Sequence, residues 1–237
     1  MYHPMQPISP SIKLVLFDHN DTLVGSIKSK WAQHKFIAKT FYDKKLTDAE
    51  IRLHWGKPFT VLLKHLYGTD HIDMAMCYNI ATRSKFPKIL FRDTIKTLRA
   101  LRKSGKKVGL VTATTRSSLN HDFQTLKISE QLFDFIQTED DTIYHKPDPR
   151  VLEPVLKWIA EQQIQPEEVL CVGDQLIDMT IAQEVGFGFV GVSTGLVSVE
   201  EFEQHQVKGV SRVGHLIIPK MIQKSILGAP ASQTFDL

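Results

Sequence analysis

Five polar residues stand at or just beyond apolar stretches, and their types are complementary. Asp18 follows the apolar run at residues 12–17. Thr112 closes a second run at 107–111. Lys146 lies in the loop His145-Lys146-Pro147-Asp148-Pro149. Asp174 follows a third run at 169–172, and Asp178 comes four residues later. Three carboxylates brought together repel one another, so they call for a cation. Hard oxygen ligands favour Mg²⁺, which keeps several waters and takes few protein carboxylates plus substrate phosphate. A hydroxyl and an ammonium, Thr112 and Lys146, suit phosphate oxygens. In that setting Asp18 is the nucleophile. A carboxylate that attacks phosphorus forms an aspartyl-phosphate and divides one hard step in two. Mg²⁺ and Lys146 screen the repulsion between carboxylate and phosphate.

The elements that must position these residues follow from hydrophobic patterning. Residues 12–17, 107–111, 133–137, 169–172 and 188–192 read as buried strands. Residues 94–103, 117–126, 150–162 and 176–185 read as helices, with Gly105 and Gly186 placed as C-terminal caps. From residue 91 onward strands alternate with helices, the pattern of an α/β parallel sheet covered on both faces. Ligands of such sheets bind beyond the carboxyl ends of the strands, where strand order reverses. The candidate residues fall there. Residues 26–90 break the alternation. Trp31, His34, Phe36, Ile37 and Phe41 share a helical face, and residues 48–55, 59–67 and 72–84 give three further helical segments. This stretch reads as an all-helical insert.

Composition excludes several classes. The 237 residues carry 29 Lys and Arg against 26 Asp and Glu, a net charge of +3. The basic residues are scattered, which argues against nucleic-acid binding. No apolar run reaches the roughly 18 residues of a membrane helix. The segment at 1–10 holds three Pro and lacks an apolar core, so it reads as a lead-in and not a secretory signal. Two Cys without metal-site spacing, Cys77 and Cys171, fit a reduced, cytoplasmic protein. A monomer is the default expectation.

Taken in order, Phe17-Asp18-His19-Asn20-Asp21-Thr22-Leu23, Val111-Thr112, Lys146-Pro147-Asp148-Pro149 and Val172-Gly173-Asp174-Gln175-Leu176-Ile177-Asp178 resemble the four motifs of the haloacid dehalogenase-like hydrolase superfamily. The likeness runs to about residue 195, through Gly186 and Val192-Ser193-Thr194-Gly195. The position of the insert is similar to the helical cap of the phosphoglycolate phosphatase and β-phosphoglucomutase branch. The resemblance implies a discontinuous Rossmann-like core (residues 1–25 and 91–237), a mobile cap (26–90) hinged at 24–27 and 85–92, and Mg²⁺-dependent phosphoryl transfer. Residues 225–237 are expected to be a flexible tail. By position the resemblance assigns Asp18 as nucleophile, Thr112 with Ala113 and Lys146 as phosphate binders, and Asp18, Asn20, Asp174 and Asp178 to the metal. Lys57, in Trp55-Gly56-Lys57-Pro58, is a cap candidate for substrate contact.

One departure matters. The family's phosphatases have a second Asp two residues after the nucleophile, followed by Gly. It protonates the leaving alcohol and later activates water. Here Asn20 and Asp21 fill those slots. Asn20 can offer its main-chain carbonyl to a metal but has no carboxylic proton. General acid–base catalysis contributes about 10²–10⁴-fold, so a slow phosphatase is expected. The penalty shrinks for good leaving groups such as acyl phosphates or phenolic esters. Asp21 is the candidate substitute acid. The competing expectations are a non-catalytic phosphate-ligand binder, and a sibling chemistry that cleaves phosphonate or carbon–halogen bonds.

Overall fold

A computed structural model describes residues 8–217. The tail expected at 225–237 and most of the N-terminal lead-in lie outside the described residues. Among the described residues there are eight strands: β1 (Leu14–Phe17), β2 (Val24–Gly25), β3 (Ile89–Leu90), β4 (Lys107–Val111), β5 (Phe135–Gln137), β6 (Val169–Gly173), β7 (Gly188–Val192) and β8 (Lys208–Val210). The helices are α1 (Ile27–Tyr42), α2 (Asp48–His54), α3 (Phe59–Tyr67), α4 (Ile72–Thr82), α5 (Thr94–Lys103), α6 (Arg116–Leu126), α7 (Glu153–Glu161), α8 (Leu176–Glu184) and α9 (Val199–Gln204).

Six strands form one sheet in the order β5-β4-β1-β6-β7-β8, and every pairing in it is parallel. The chain builds outward from β1 in both directions, so the order reverses at β1. β1 is apolar throughout because both of its faces are buried. Val15 and Phe17 enter a core with Leu98 and Leu101 of α5 and Leu119 and Phe123 of α6. Leu14 and Leu16 enter a second core with Val155 and Ile159 of α7 and Ile181 of α8. The expected α/β sheet with helices on both faces is therefore present.

Some boundaries differ. The strand expected at 133–137 begins at Phe135, because a 3₁₀ turn at Glu130–Leu132 occupies the approach. The helix expected at 150–162 is a 3₁₀ turn, Pro149–Leu152, followed by α7. β8 was not anticipated; three residues with a central Gly leave no periodicity to read.

Between β2 and β3 lie α1 to α4, which share an apolar cluster of their own. Ile37, Ala38, Leu46, Ile51, Leu62, Leu63, Leu66, Tyr67 and Ala75 are its buried members. Trp31 and Phe36 pack at its edge, whereas Phe41 is exposed and stacks on Tyr78 at 3.8 Å. β2 and β3 pair antiparallel, Val24 with Leu90 and Gly25 with Ile89, inside the two segments expected to act as hinges.

Candidate active site

Each candidate side chain stands where its element ends. Asp18 is the first residue past β1, and its N–H donates to the Val172 carbonyl of β6 at 2.9 Å. Thr112 follows β4 and is tied to β5 by its N–H to the Gln137 carbonyl at 3.0 Å. Asp174 follows β6. Three carboxyl-terminal strand ends at the reversal point thus supply three polar groups to one place.

Lys146 joins them from the loop after β5. Its Nζ donates to Asp18 Oδ1 at 3.2 Å and also to Asp178 Oδ1. Asp178 is fixed in turn at the start of α8, where its other carboxylate oxygen accepts the Gln175 N–H at 3.3 Å. Asp178 therefore anchors Lys146 and caps a helix. Asp174 receives a weak bond from Thr22 Oγ1 at 3.4 Å. A Cβ on Gly195 would lie 2.0 Å from Asp174 Oδ2, so only glycine there leaves room for that carboxylate.

Burial sets the electrostatics. It pushes Asp18 up to about 7; Lys146 opposes the rise and Asp178 adds to it. Burial also raises Asp174 well above the ordinary carboxylate range, and Asp18, Asp178 and Asp21 add to that. Lys146 would be lowered by burial, but Asp178 and Asp18 hold its ammonium far above the usual lysine value. One ammonium does not balance this many buried acids. Among the described residues no three acidic, His or Cys side chains enclose a metal ion by themselves. Two buried carboxylates with raised proton affinity nonetheless suit a hard cation that takes few protein ligands and completes its shell with water and phosphate.

The two departures in the first motif resolve differently. Asp21 adopts a left-handed backbone (φ 56°). Its carboxylate accepts the N–H of Ser26 at 2.8 Å, the hydroxyl of Ser26 at 2.6 Å and the N–H of Ile27 at 3.0 Å. It satisfies the start of α1, and it also lines the cavity that Asp18 faces. Asn20 is held at both ends of its amide. Nδ2 donates to Thr114 Oγ1 at 2.9 Å, and Oδ1 accepts from Lys88 Nζ at 2.7 Å. Lys88 also donates to Asp122 Oδ2 at 2.6 Å, and that oxygen lies 3.0 Å from His19 Nε2. His19 is fully buried.

Part of this cluster opens onto a cavity of about 320 Å³ between the strand ends and the helical insert. Asp18, Asn20, Thr112, Ala113 and Lys146 line it from the sheet. Lys30, Lys57, Arg83 and Lys88 line it from the insert and its return segment. Lys57 is exposed and lies 3.1 Å from His54 Nδ1, which places it at the rim. Gly56 beside it (φ 88°) faces the core, since a Cβ there would lie 2.9 Å from Gln175 Oε1.

Sequence reasoning missed Lys88, Asp122 and Thr114. Lys88 in Phe86-Pro87-Lys88 immediately precedes the return strand, and that adjacency was the available signal. Asp122 sits on α6 with no local mark of function.

A parallel sheet with acids and an ammonium gathered at its reversal point, under a helical insert, defines a class of α/β hydrolases. The chain belongs to the haloacid dehalogenase-like hydrolase family, which it matches over residues 15–192. It is 30% identical over 194 residues to a Clostridium perfringens (strain 13 / Type A) protein named "Putative pyrophosphatase PpaX", covering 80% of this chain and 88% of that one. It is 26% identical over 184 residues to "Pyrophosphatase PpaX" of Bacillus mycoides (strain KBAB4), covering 77% and 84%. The fold also resembles the crystal structure of a "predicted phosphoglycolate phosphatase" from Haemophilus somnus 129pt, with a TM-score of 0.74 at 18% identity, covering 87% of this chain and 97% of that one. No helix among the described residues is long and apolar enough to cross a membrane.

Proposed function

We propose that the protein is a Mg²⁺-dependent phosphatase for a small phosphorylated metabolite, working through an aspartyl-phosphate on Asp18. The observation that carries this reading is the bond from Lys146 to Asp18 at the end of the central strand, with Thr112 and Asp174 supplied by the strands on either side. Asp18, Asp174 and the Asn20 main-chain carbonyl would hold the ion, with Asp178 serving through Lys146. The ion supplies charge neutralisation at phosphate. Thr112 and the backbone at Ala113 hold phosphate oxygens, and Lys146 offsets the charge of Asp18 as phosphate approaches. An Asp18 oxygen bonds to phosphorus and the bond to the leaving oxygen breaks. Its electron pair departs with the leaving group. Water then attacks phosphorus, the bond to Asp18 breaks, and both protons of the water leave on dihydrogen phosphate.

Residues 26–90 serve as the cap over a core of 1–25 and 91–237, moving about the β2–β3 pair and excluding water when closed. The names of the curated relatives make pyrophosphate a first substrate to try. We read the protein as a cytoplasmic monomer. The test is phosphate release from p-nitrophenyl phosphate with Mg²⁺ or with chelator. Release that needs Mg²⁺ and vanishes in Asp18→Asn is expected. A second reading, a binder of phosphate ligands without turnover, is favoured by the amide of Asn20. Ligand-dependent thermal stabilisation with no turnover over hours would select it.

A further inference from the structure

We propose that Lys88 takes over at the leaving oxygen where Asn20 has no proton to give. Its ammonium meets the charge of a group that departs as an anion, and the substrates it fits are phosphoric anhydrides, acyl phosphates and esters of acidic phenols. This deepens the phosphatase reading above and rests on it.

Lys88 is placed by the return segment of the insert, next to β3. Its side chain is only 9% exposed, yet it lines the same cavity as Asp18. A buried ammonium needs a counter-charge, and Asp122, itself held by His19, provides it. Its second bond, to Asn20 Oδ1, points it at the residue two positions beyond the nucleophile. Two of its three N–H groups are thereby used, and one remains for a ligand. A cation pinned in this way needs no reorganisation when charge develops beside it. Asn20 is doubly fixed, by Lys88 and Thr114, and acts as the spacer that orients the ammonium. Lys30 and Arg83 lie in the same cavity and are near enough to act on one another: burial first, then Lys88 and Arg83, bring Lys30 down to about 8. The insert's side of the cavity thus presents a cationic wall to whatever leaves.

In the first step the carboxylate of Asp18 displaces the leaving oxygen from phosphorus, and the departing group carries its electron pair away as an oxyanion. No proton transfer is required to balance it. Charge replaces acid catalysis, so leaving groups of low basicity are favoured over alkoxides.

The test is kcat/KM across aryl phosphates from nitrophenyl to unsubstituted phenyl, with pyrophosphate and an alkyl phosphate beside them. Wild type, Lys88→Ala and Lys88→Arg are compared with Mg²⁺ present. kcat/KM includes the step in which the leaving group departs. Wild type should prefer pyrophosphate over the alkyl ester by about 10²-fold or more, the size of a missing acid. Lys88→Ala should lose about tenfold on the most acidic phenol and about 10²-fold on the least, a steeper dependence on leaving-group basicity. Lys88→Arg should keep the shallow slope, and added methylammonium should restore part of the loss in Lys88→Ala. A uniform drop across the series, or none, overturns the proposal while leaving the phosphatase reading intact. Absence of turnover by wild type on every substrate overturns both. Lys88→Ala strands the Asp122 charge, so Lys88→Ala/Asp122→Asn is measured too, with thermal unfolding as the check on folding.

Discussion

Lys146 reaches Asp18 across 128 positions of sequence, placing its ammonium 3.2 Å from Oδ1 of a carboxyl that burial lifts to about 7. The pair couples a loop after β5 to the end of β1, and the same ammonium binds Asp178 of α8. Removing it leaves two buried acids facing each other.

Lys146→Met should therefore lower kcat on p-nitrophenyl phosphate by about 10²–10³-fold, the usual loss when one preorganised electrostatic partner is removed. Loss of less than threefold in a folded variant would mean that Lys146 is only a structural tie.

Asn20→Asp tests the missing acid. Lys88 lies 2.7 Å from the Asn20 oxygen, and a cation that close keeps a new carboxyl ionised and unable to donate. Asn20→Asp alone should gain little on alkyl phosphates. Combined with Lys88→Met it should gain about 10²-fold or more. A large gain from the single variant would show that Lys88 does not control this position.

Asp21→Ala should cost about 2 kcal/mol in urea unfolding. It removes three bonds at the start of α1 and puts Ala in a left-handed backbone. The slope of activity against leaving-group basicity should not change. A variant that folds normally and loses activity only on poor leaving groups would assign the acid role to Asp21.

The insert should weaken in mild acid. Asn79 Nδ2 donates to the Tyr67 oxygen at 3.2 Å, and that phenol lies 2.7 Å from His34 Nδ1, an arrangement suited to a neutral ring accepting the phenol proton. Burial, aided by Lys30, lowers His34 from 6.5 to about 3. The unfolded chain then binds a proton below pH 6.5 that the folded chain refuses until about pH 3. Stability accordingly falls as pH drops through that window, by at most about 1.4 kcal/mol per pH unit from this ring. Burial lowers His19 as well, with the same sign. His34→Gln should flatten the pH dependence of the melting temperature, and an unchanged slope would contradict this.

Much of the site could be read before the fold was known. Strands such as 107–111 and 188–192 are short, almost wholly apolar runs because both faces of a parallel sheet are buried, and the polar residue ending each run marks its carboxyl end. α5 and α8 were equally legible, with glycine, Gly105 and Gly186, beyond the end of each. What escaped depended on long-range contacts. Asp122 looks like any helical acid until α6 brings it beside His19 and Lys88. Asp21 was placed by spacing alone, which does not show where a side chain points; its backbone is left-handed and its carboxylate bonds Ser26 and Ile27 at the start of α1. β8 pairs with β7 through backbone bonds that leave no mark on three residues.

In the proposed reaction Asp18 itself carries the phosphoryl group. Acid-quenched wild-type protein, sampled during turnover of p-nitrophenyl phosphate or pyrophosphate with Mg²⁺, can be digested and weighed peptide by peptide. A single phosphoryl adduct on the peptide containing Asp18, absent from Asp18→Asn, is the predicted result. Continued turnover in Asp18→Asn, or a phosphoryl adduct found only on another residue, would contradict it.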